Sequence, residues 1–335
     1  MSRFGATILD AEGLRLTAEE KALFAETKPF GFILFARNID SADQVRALCD
    51  DFREAAGHDC VITIDQEGGR VQRLRAPLAR EWKTPLDHVA LSGAAAARAM
   101  YLRYRLIADE LRALGIDSNC APIADVAMDD THPFLKNRCY GETLDSVTEI
   151  ARAVSDGHLD GGVLPVLKHI PGHGRAVSDS HLDLPHVAAT HSDLTVQDFA
   201  AFKALADLPM AMTAHVVFDA IDPLPATLSP KLVDLIRTEM GFDGLLMTDD
   251  ISMKALSGSY SDISKQALTA GCDVVLLCNA DLADRTRVAQ AAGEMSDSAQ
   301  RRASAALALR KAPQPLDISA VEDELSALMS GQVYG

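Results

Sequence analysis

Short apolar runs alternate with amphipathic helical patterns along nearly the whole chain. Residues 6–10, 31–35, 61–65, 116–121, 163–167, 209–215, 244–250 and 272–278 read as eight strands, because each is an apolar run of strand length bounded by turn-forming residues. Between them lie helical signals. Thr17-Ala18-Glu19-Glu20 spells a capping box that opens a helix stopping before Pro29. Ser41 caps a helix reaching to about residue 56, and a long helix over 94–114 ends at Gly115. Further helices are predicted over about 144–159, 196–205 and 262–270, and another opens at Ser229-Pro230 and ends at Gly241.

Eight strands each followed by a helix predict an α/β fold, a (β/α)8 TIM-type barrel. One domain over residues 1–335 is expected, with a C-terminal helical extension from about residue 280. A doubly wound sheet is the alternative, but the glycine fingerprint it would carry after the first strand is absent. Almost every strand runs out into polar residues: Asp65, Asp125, Lys168-His169, His215 and Asp249-Asp250. Barrel active sites are assembled at that C-terminal rim from several strand ends.

Composition narrows the class. The 335 residues are 48% hydrophobic and 24% charged, ordinary for a globular protein, with a formal net charge of -16. That charge argues against nucleic acid and against an anionic membrane surface as partners. Cys49, Cys60, Cys120, Cys139, Cys272 and Cys278 form no C-x-x-C pair and read as buried free thiols of a reducing compartment. With no basic-then-apolar leader and no run of membrane-spanning length, the cytoplasm is the expected location. The oligomeric state is open, a monomer being the simplest expectation.

Three groups of residues suggest chemistry. Asp249 closes an apolar strand, where a carboxylate serves as nucleophile, base, metal ligand or helix cap. Since consecutive strand residues point opposite ways, one of Asp249 and Asp250 should face the pocket while the other braces it. Asp179-Ser180-His181 lies in a long polar loop, where Asp179 can accept the imidazole N–H of His181 and leave its other nitrogen for proton transfer. Lys168, His169, Asp65, Arg73 and Arg138 stand at the same rim and suit a polar substrate. The spacing of His169 and His173 suggests a metal, but Pro171-Gly172 interrupts it and Lys168 would repel a cation. A turn with His173 holding backbone is the preferred reading, with no metal and no cofactor.

Lys168-His169-Ile170-Pro171-Gly172-His173-Gly174 with Asp179-Ser180-His181 resembles the signature of the family 3 glycoside hydrolases. It is similar in particular to the single-domain bacterial β-N-acetylglucosaminidases of peptidoglycan recycling. Asp65-Gln66-Glu67-Gly68-Gly69-Arg70-Val71-Gln72-Arg73, Lys136-Asn137-Arg138 and Thr248-Asp249-Asp250-Ile251-Ser252-Met253 match that family's other motifs in the same order. The resemblance implies a retaining hydrolase acting on small carbohydrates, N-acetylglucosamine-containing muropeptides. Asp249 matches the nucleophile, and His181 paired with Asp179 the acid/base. Asp65, Arg73, Arg138, Lys168 and His169 match the positions that hold the sugar. Glu67 and Glu142 are rival candidates for the acid. A phosphorylase or β-glucosidase on the same barrel, a non-catalytic sugar-binding barrel and a metal-dependent amidohydrolase are the competing functions.

Overall fold

The computed structural model describes residues 3–178, 180 and 183–335. All eight expected strands are present: β1 (Gly5–Leu9), β2 (Pro29–Leu34), β3 (Val61–Ile64), β4 (Ser118–Asn119), β5 (Leu164–Ile170), β6 (Met210–Thr213), β7 (Leu245–Met247) and β8 (Val275–Leu276). They form two parallel four-stranded sheets, ordered β8-β1-β2-β3 and β7-β6-β5-β4. Two seams close these into a ring. The Asp117 and Cys120 N–H groups donate to Ile62 O (3.1 Å) and Ile64 O (2.9 Å), and Thr248 N–H donates to Val274 O at 3.0 Å. The result is the (β/α)8 barrel expected from the alternation.

Strand alternation sorts the core into two layers. Val61, Leu164, Val166, Met210, Met212, Leu245, Met247 and Leu276 pack together inside the ring. Ile62, Ile64, Leu167, Ala211 and Leu246, one residue out of phase, pack outward against the helices. Continuing the inward phase past the apolar run brings β3 to Asp65, β5 to Lys168 and β7 to Asp249. The strands therefore aim these three side chains at one point above the core.

The outer helices are α1 (Ala18–Thr27), α2 (Ala42–Ala56), α3 (Ala96–Ala113), α4 (Leu144–Asp160), α5 (Asp198–Lys203), α6 (Pro230–Thr238), α7 (Tyr260–Ala270) and α8 (Leu282–Ala292). Both halves of the Thr17–Glu20 capping box form. The helix expected over 196–205 is α5, and a further short helix that was not expected, His191–Val196, precedes it. Gln197 between them is non-helical (φ -126°, ψ -69°), and the Asp198 carboxylate is engaged by Arg175 Nε at 2.7 Å. That tertiary ion pair sets where α5 begins. The helical stretch expected as an extension from about residue 280 starts with α8, which packs on β1 and α7 as the eighth barrel helix. Beyond it, α9 (Asp297–Ala308) sends Ala299, Ala303 and Ala306 into the inner core, and α10 (Ile318–Leu328) packs on α3. No helix among the described residues is long and apolar enough to cross a membrane.

Candidate active site

A cavity of about 440 Å³ opens at the C-terminal rim, and Asp65, Arg73, Arg138, Lys168, His169 and Asp249 all line it. The structure thus gathers every predicted sugar-binding residue around the predicted nucleophile. Asp179 and His181 lie outside the described residues.

Asp65 follows β3, and its two oxygens receive Arg73 Nη2 (2.8 Å) and Lys168 Nζ (3.3 Å). The next residues make a hairpin, Gln66–Gly68 against Val71–Gln72. Gln66 Oε1 accepts the backbone N–H groups of Arg73 and Leu74, both at 3.0 Å, so the turn that carries Arg73 is held from inside. Glu67 is fully buried beneath the cavity. It accepts Arg138 Nε (2.9 Å) and Nη2 (2.8 Å) in a two-pronged pair, and Lys168 Nζ at 2.6 Å. Burial would raise the Glu67 carboxyl, but Arg138 and Lys168 outweigh it and bring it down to about 2. Burial likewise opposes the charged form of Asp65, yet Lys168 and Arg73 hold it well below the usual carboxylate range. Burial opposes the charged forms of Lys168 and Arg138, but their carboxylate partners hold both above their ordinary values. The four groups therefore stay ionised, and the two cations present fixed N–H donors to the cavity.

Glu67 is accordingly no general acid: it holds no proton to give near neutrality. Glu142, the other rival, is half exposed and paired with Lys136 Nζ at 2.9 Å.

Lys168 faces the cavity by strand phase, but His169 should then face away. The register of β5 against β6 shifts between Lys168 and Ile170, and the alternation breaks there. His169 lines the cavity too, its Nδ1 donating to Asp125 Oδ2 at 2.7 Å. That bond leaves Nε2 as the free face of the ring. Asp125, noted in the sequence only as a rim residue, is wholly buried and also takes the His173 N–H at 2.7 Å. Among the described residues the His173 ring meets a side chain, not the backbone it was expected to hold. Its Nε2 lies 3.2 Å from the Ser180 hydroxyl. His169 and His173 meet edge to face with ring centres 5.5 Å apart, and no cluster of three or more metal-donor residues occurs among the described residues.

Asp249 continues β7 into the cavity. Its Oδ1 accepts the Asp250 N–H at 2.8 Å. Burial acts to raise its carboxyl, but His215, His169, the Asp250 N–H and Lys168 together bring it below the usual value. It is an ionised carboxylate at the cavity floor. Asp250 braces the turn, but it also lines the cavity, so the expectation that only one of the two acids would reach it does not hold. It accepts Ser252 N–H (2.9 Å), Ser252 Oγ–H (2.7 Å) and Cys278 N–H (3.0 Å), tying the turn after β7 to β8. Burial pushes its own carboxyl up to about 6. His215, after β6, braces the same turn, with Nε2 donating to Asp250 O at 3.0 Å while Nδ1 meets the Thr227 hydroxyl at 2.7 Å. Phe35, Phe134 and Met253 supply apolar wall. Aromatic and thioether faces among fixed polar donors are the usual lining of a sugar site.

Comparison with known proteins agrees with this geometry. Residues 6–307 match the glycosyl hydrolase family 3 N-terminal domain. A β-hexosaminidase of Alkalilimnicola ehrlichii is 38% identical over 283 residues, covering 82% of this chain and 81% of the relative. One of Methylococcus capsulatus is 37% identical over 277 residues, covering 81% and 82%. Among solved structures, a family 3 β-N-acetylglucosaminidase from Paenibacillus sp. superimposes with TM-score 0.84 at 29% identity, covering 97% of this chain and 67% of that one. NagZ from Neisseria gonorrhoeae, in complex with N-trifluoroacetyl-D-glucosamine, gives TM-score 0.80 at 27% identity and covers 98% and 99%. The chain belongs to glycoside hydrolase family 3, as a glycoside hydrolase of the β-hexosaminidase kind.

Proposed function

We propose that the protein is a retaining β-N-acetylglucosaminidase that removes non-reducing terminal N-acetylglucosamine from cytoplasmic muropeptides ending in 1,6-anhydro-N-acetylmuramic acid, in cell-wall recycling. The observation that carries the mechanism is Asp249: an ionised, cavity-facing carboxylate at a strand end, with Lys168, Arg138 and His169 around the same space. The Neisseria gonorrhoeae neighbour holds a glucosamine derivative acylated on nitrogen, which supports an N-acetylglucosamine ring here. Six buried, unpaired cysteines support a reducing compartment.

In the first step an Asp249 oxygen attacks the anomeric carbon and the glycosidic C–O bond breaks. The leaving oxygen takes a proton from His181, which the family resemblance pairs with Asp179. In the second step His181 removes a proton from water, the water oxygen bonds to the anomeric carbon, and Asp249 departs as carboxylate. Double displacement returns the original anomeric configuration. A carboxylic acid partner is the commoner arrangement for this chemistry. Glu67 is locked ionised below the site and Asp250 is committed to three donors, which favours the imidazole for the acid role.

The test is covalent trapping. A 5-fluoro N-acetylglucosaminyl donor should leave a sugar adduct on the peptide containing Asp249, read by mass spectrometry, and NMR should show β-configured product first. An adduct elsewhere, or an α-configured first product, would overturn the reading.

A further inference from the structure

Asp125 stands where two parts of the site meet. One oxygen receives the His169 imidazole N–H at 2.7 Å, the other receives the backbone N–H of His173 at 2.7 Å, and the His169 backbone N–H lies 3.3 Å from both. The carboxylate is fully buried. The His173 ring then reaches the Ser180 hydroxyl at 3.2 Å, and Ser180 itself is buried. In the chain Ser180 stands between Asp179 and His181.

We propose that Asp125 is a positioning residue with two arms: it orients His169 toward the sugar and, through His173, seats Ser180 and so the segment from which the proton is transferred. This rests on the assignment of His181 as acid/base in the proposed function. The physical argument concerns acceptor capacity. A carboxylate offers two oxygens to three inward-pointing N–H groups. An amide of the same shape offers one, and its NH2 would face a donor. Asp125→Asn therefore sacrifices one arm or twists both, without changing volume. The bond from Nδ1–H to Asp125 also fixes the orientation of the His169 ring. Nε2 is the ring nitrogen left toward the cavity to meet a sugar hydroxyl.

The experiment compares phenyl and 2,4-dinitrophenyl N-acetylglucosaminides, whose leaving groups need protonation to very different degrees. Asp125→Asn should weaken binding of both substrates through His169 and, in kcat/KM, which reports the first step, should lower the phenyl value by about 10²-fold more than the dinitrophenyl value, the scale of a general acid's contribution. Ser180→Ala removes the second arm alone. It should lower kcat/KM on the phenyl substrate more than on the dinitrophenyl substrate. Equal losses on both substrates in Asp125→Asn, or kinetics within twofold of the parent in both variants, would overturn the proposal. His181→Ala is the reference. If it fails to separate the two leaving groups, the acid/base assignment itself falls. If it separates them and Asp125→Asn does not, only the positioning role falls.

Discussion

Glu67 carries no bond-making role, yet two cavity-facing cations depend on it. Its carboxylate is buried between Arg138 and Lys168. Removing one partner from such a group leaves uncompensated charge out of water, which costs about 3–5 kcal/mol. Glu67→Gln should lower the unfolding free energy by about that amount at pH 7. Because the folded-state carboxyl is depressed from 4.5 to about 2, its contribution is complete above pH 4.5 and fades as pH falls toward 2. The gap between parent and variant, measured by denaturant titration at several pH values, should shrink by roughly 3 kcal/mol over that window. A gap independent of pH would contradict the assignment. At this scale the sequence showed the residue but not its task. Glu67 stood in a motif as a rival acid, and only its two cationic neighbours, distant in the chain, exclude that.

At the scale of elements, the segment leaving β5 is set by a close approach that only glycine permits. A β-carbon on Gly174 would lie 1.9 Å from the Val126 carbonyl oxygen, and the Thr131 hydroxyl donates to the Gly174 carbonyl. Gly174→Ala must push two loops apart. It should cost about 1–3 kcal/mol and lower kcat, because the same two loops carry Asp125 and His173. Gly13→Ala, where nothing lies within 4 Å, is the control and should change the melting temperature little. Unchanged melting and turnover in Gly174→Ala would refute the constraint. The strands themselves were legible. A strand buried on both faces is apolar at nearly every position, so it stands out from the polar loop after it. The short helix His191–Val196 was not legible, because its six residues are too few to show a helical period.

For the whole molecule, closing the ring brings the two ends of the barrel together. Asp10, after β1, accepts Arg285 Nε at 2.8 Å, and Glu20 of α1 accepts Arg285 Nη1 at 2.8 Å. Asp10 also takes the Asn279 N–H after β8 and pairs with Arg37. Asp10, Glu20 and Arg285 are buried, and Arg37 closes the cluster from the surface. Arg285→Ala should destabilise by about 3–5 kcal/mol in guanidinium unfolding, with the slope unchanged if the barrel still unfolds as one unit. A loss below about 0.5 kcal/mol would mean that the seam is held by packing alone. All six thiols are buried, and burial raises the pKa of each. Native protein should therefore react slowly with a thiol-disulfide reagent and release six equivalents once denatured. Rapid native reaction would count against this packing.

By itself the sequence determined the eight-fold alternation, the strand ends as the place of chemistry, and the acidic and basic residues gathered there. Those follow from local physics: burial dictates which residues are apolar, and strand period dictates which side chain faces inward. Tertiary structure decided what each charge does. Whether a carboxylate acts as nucleophile, clamp or brace depends on the neighbours that close the ring around it. Asp249, Glu67 and Asp250 differ in that respect alone, and those neighbours come from strands far apart in the chain.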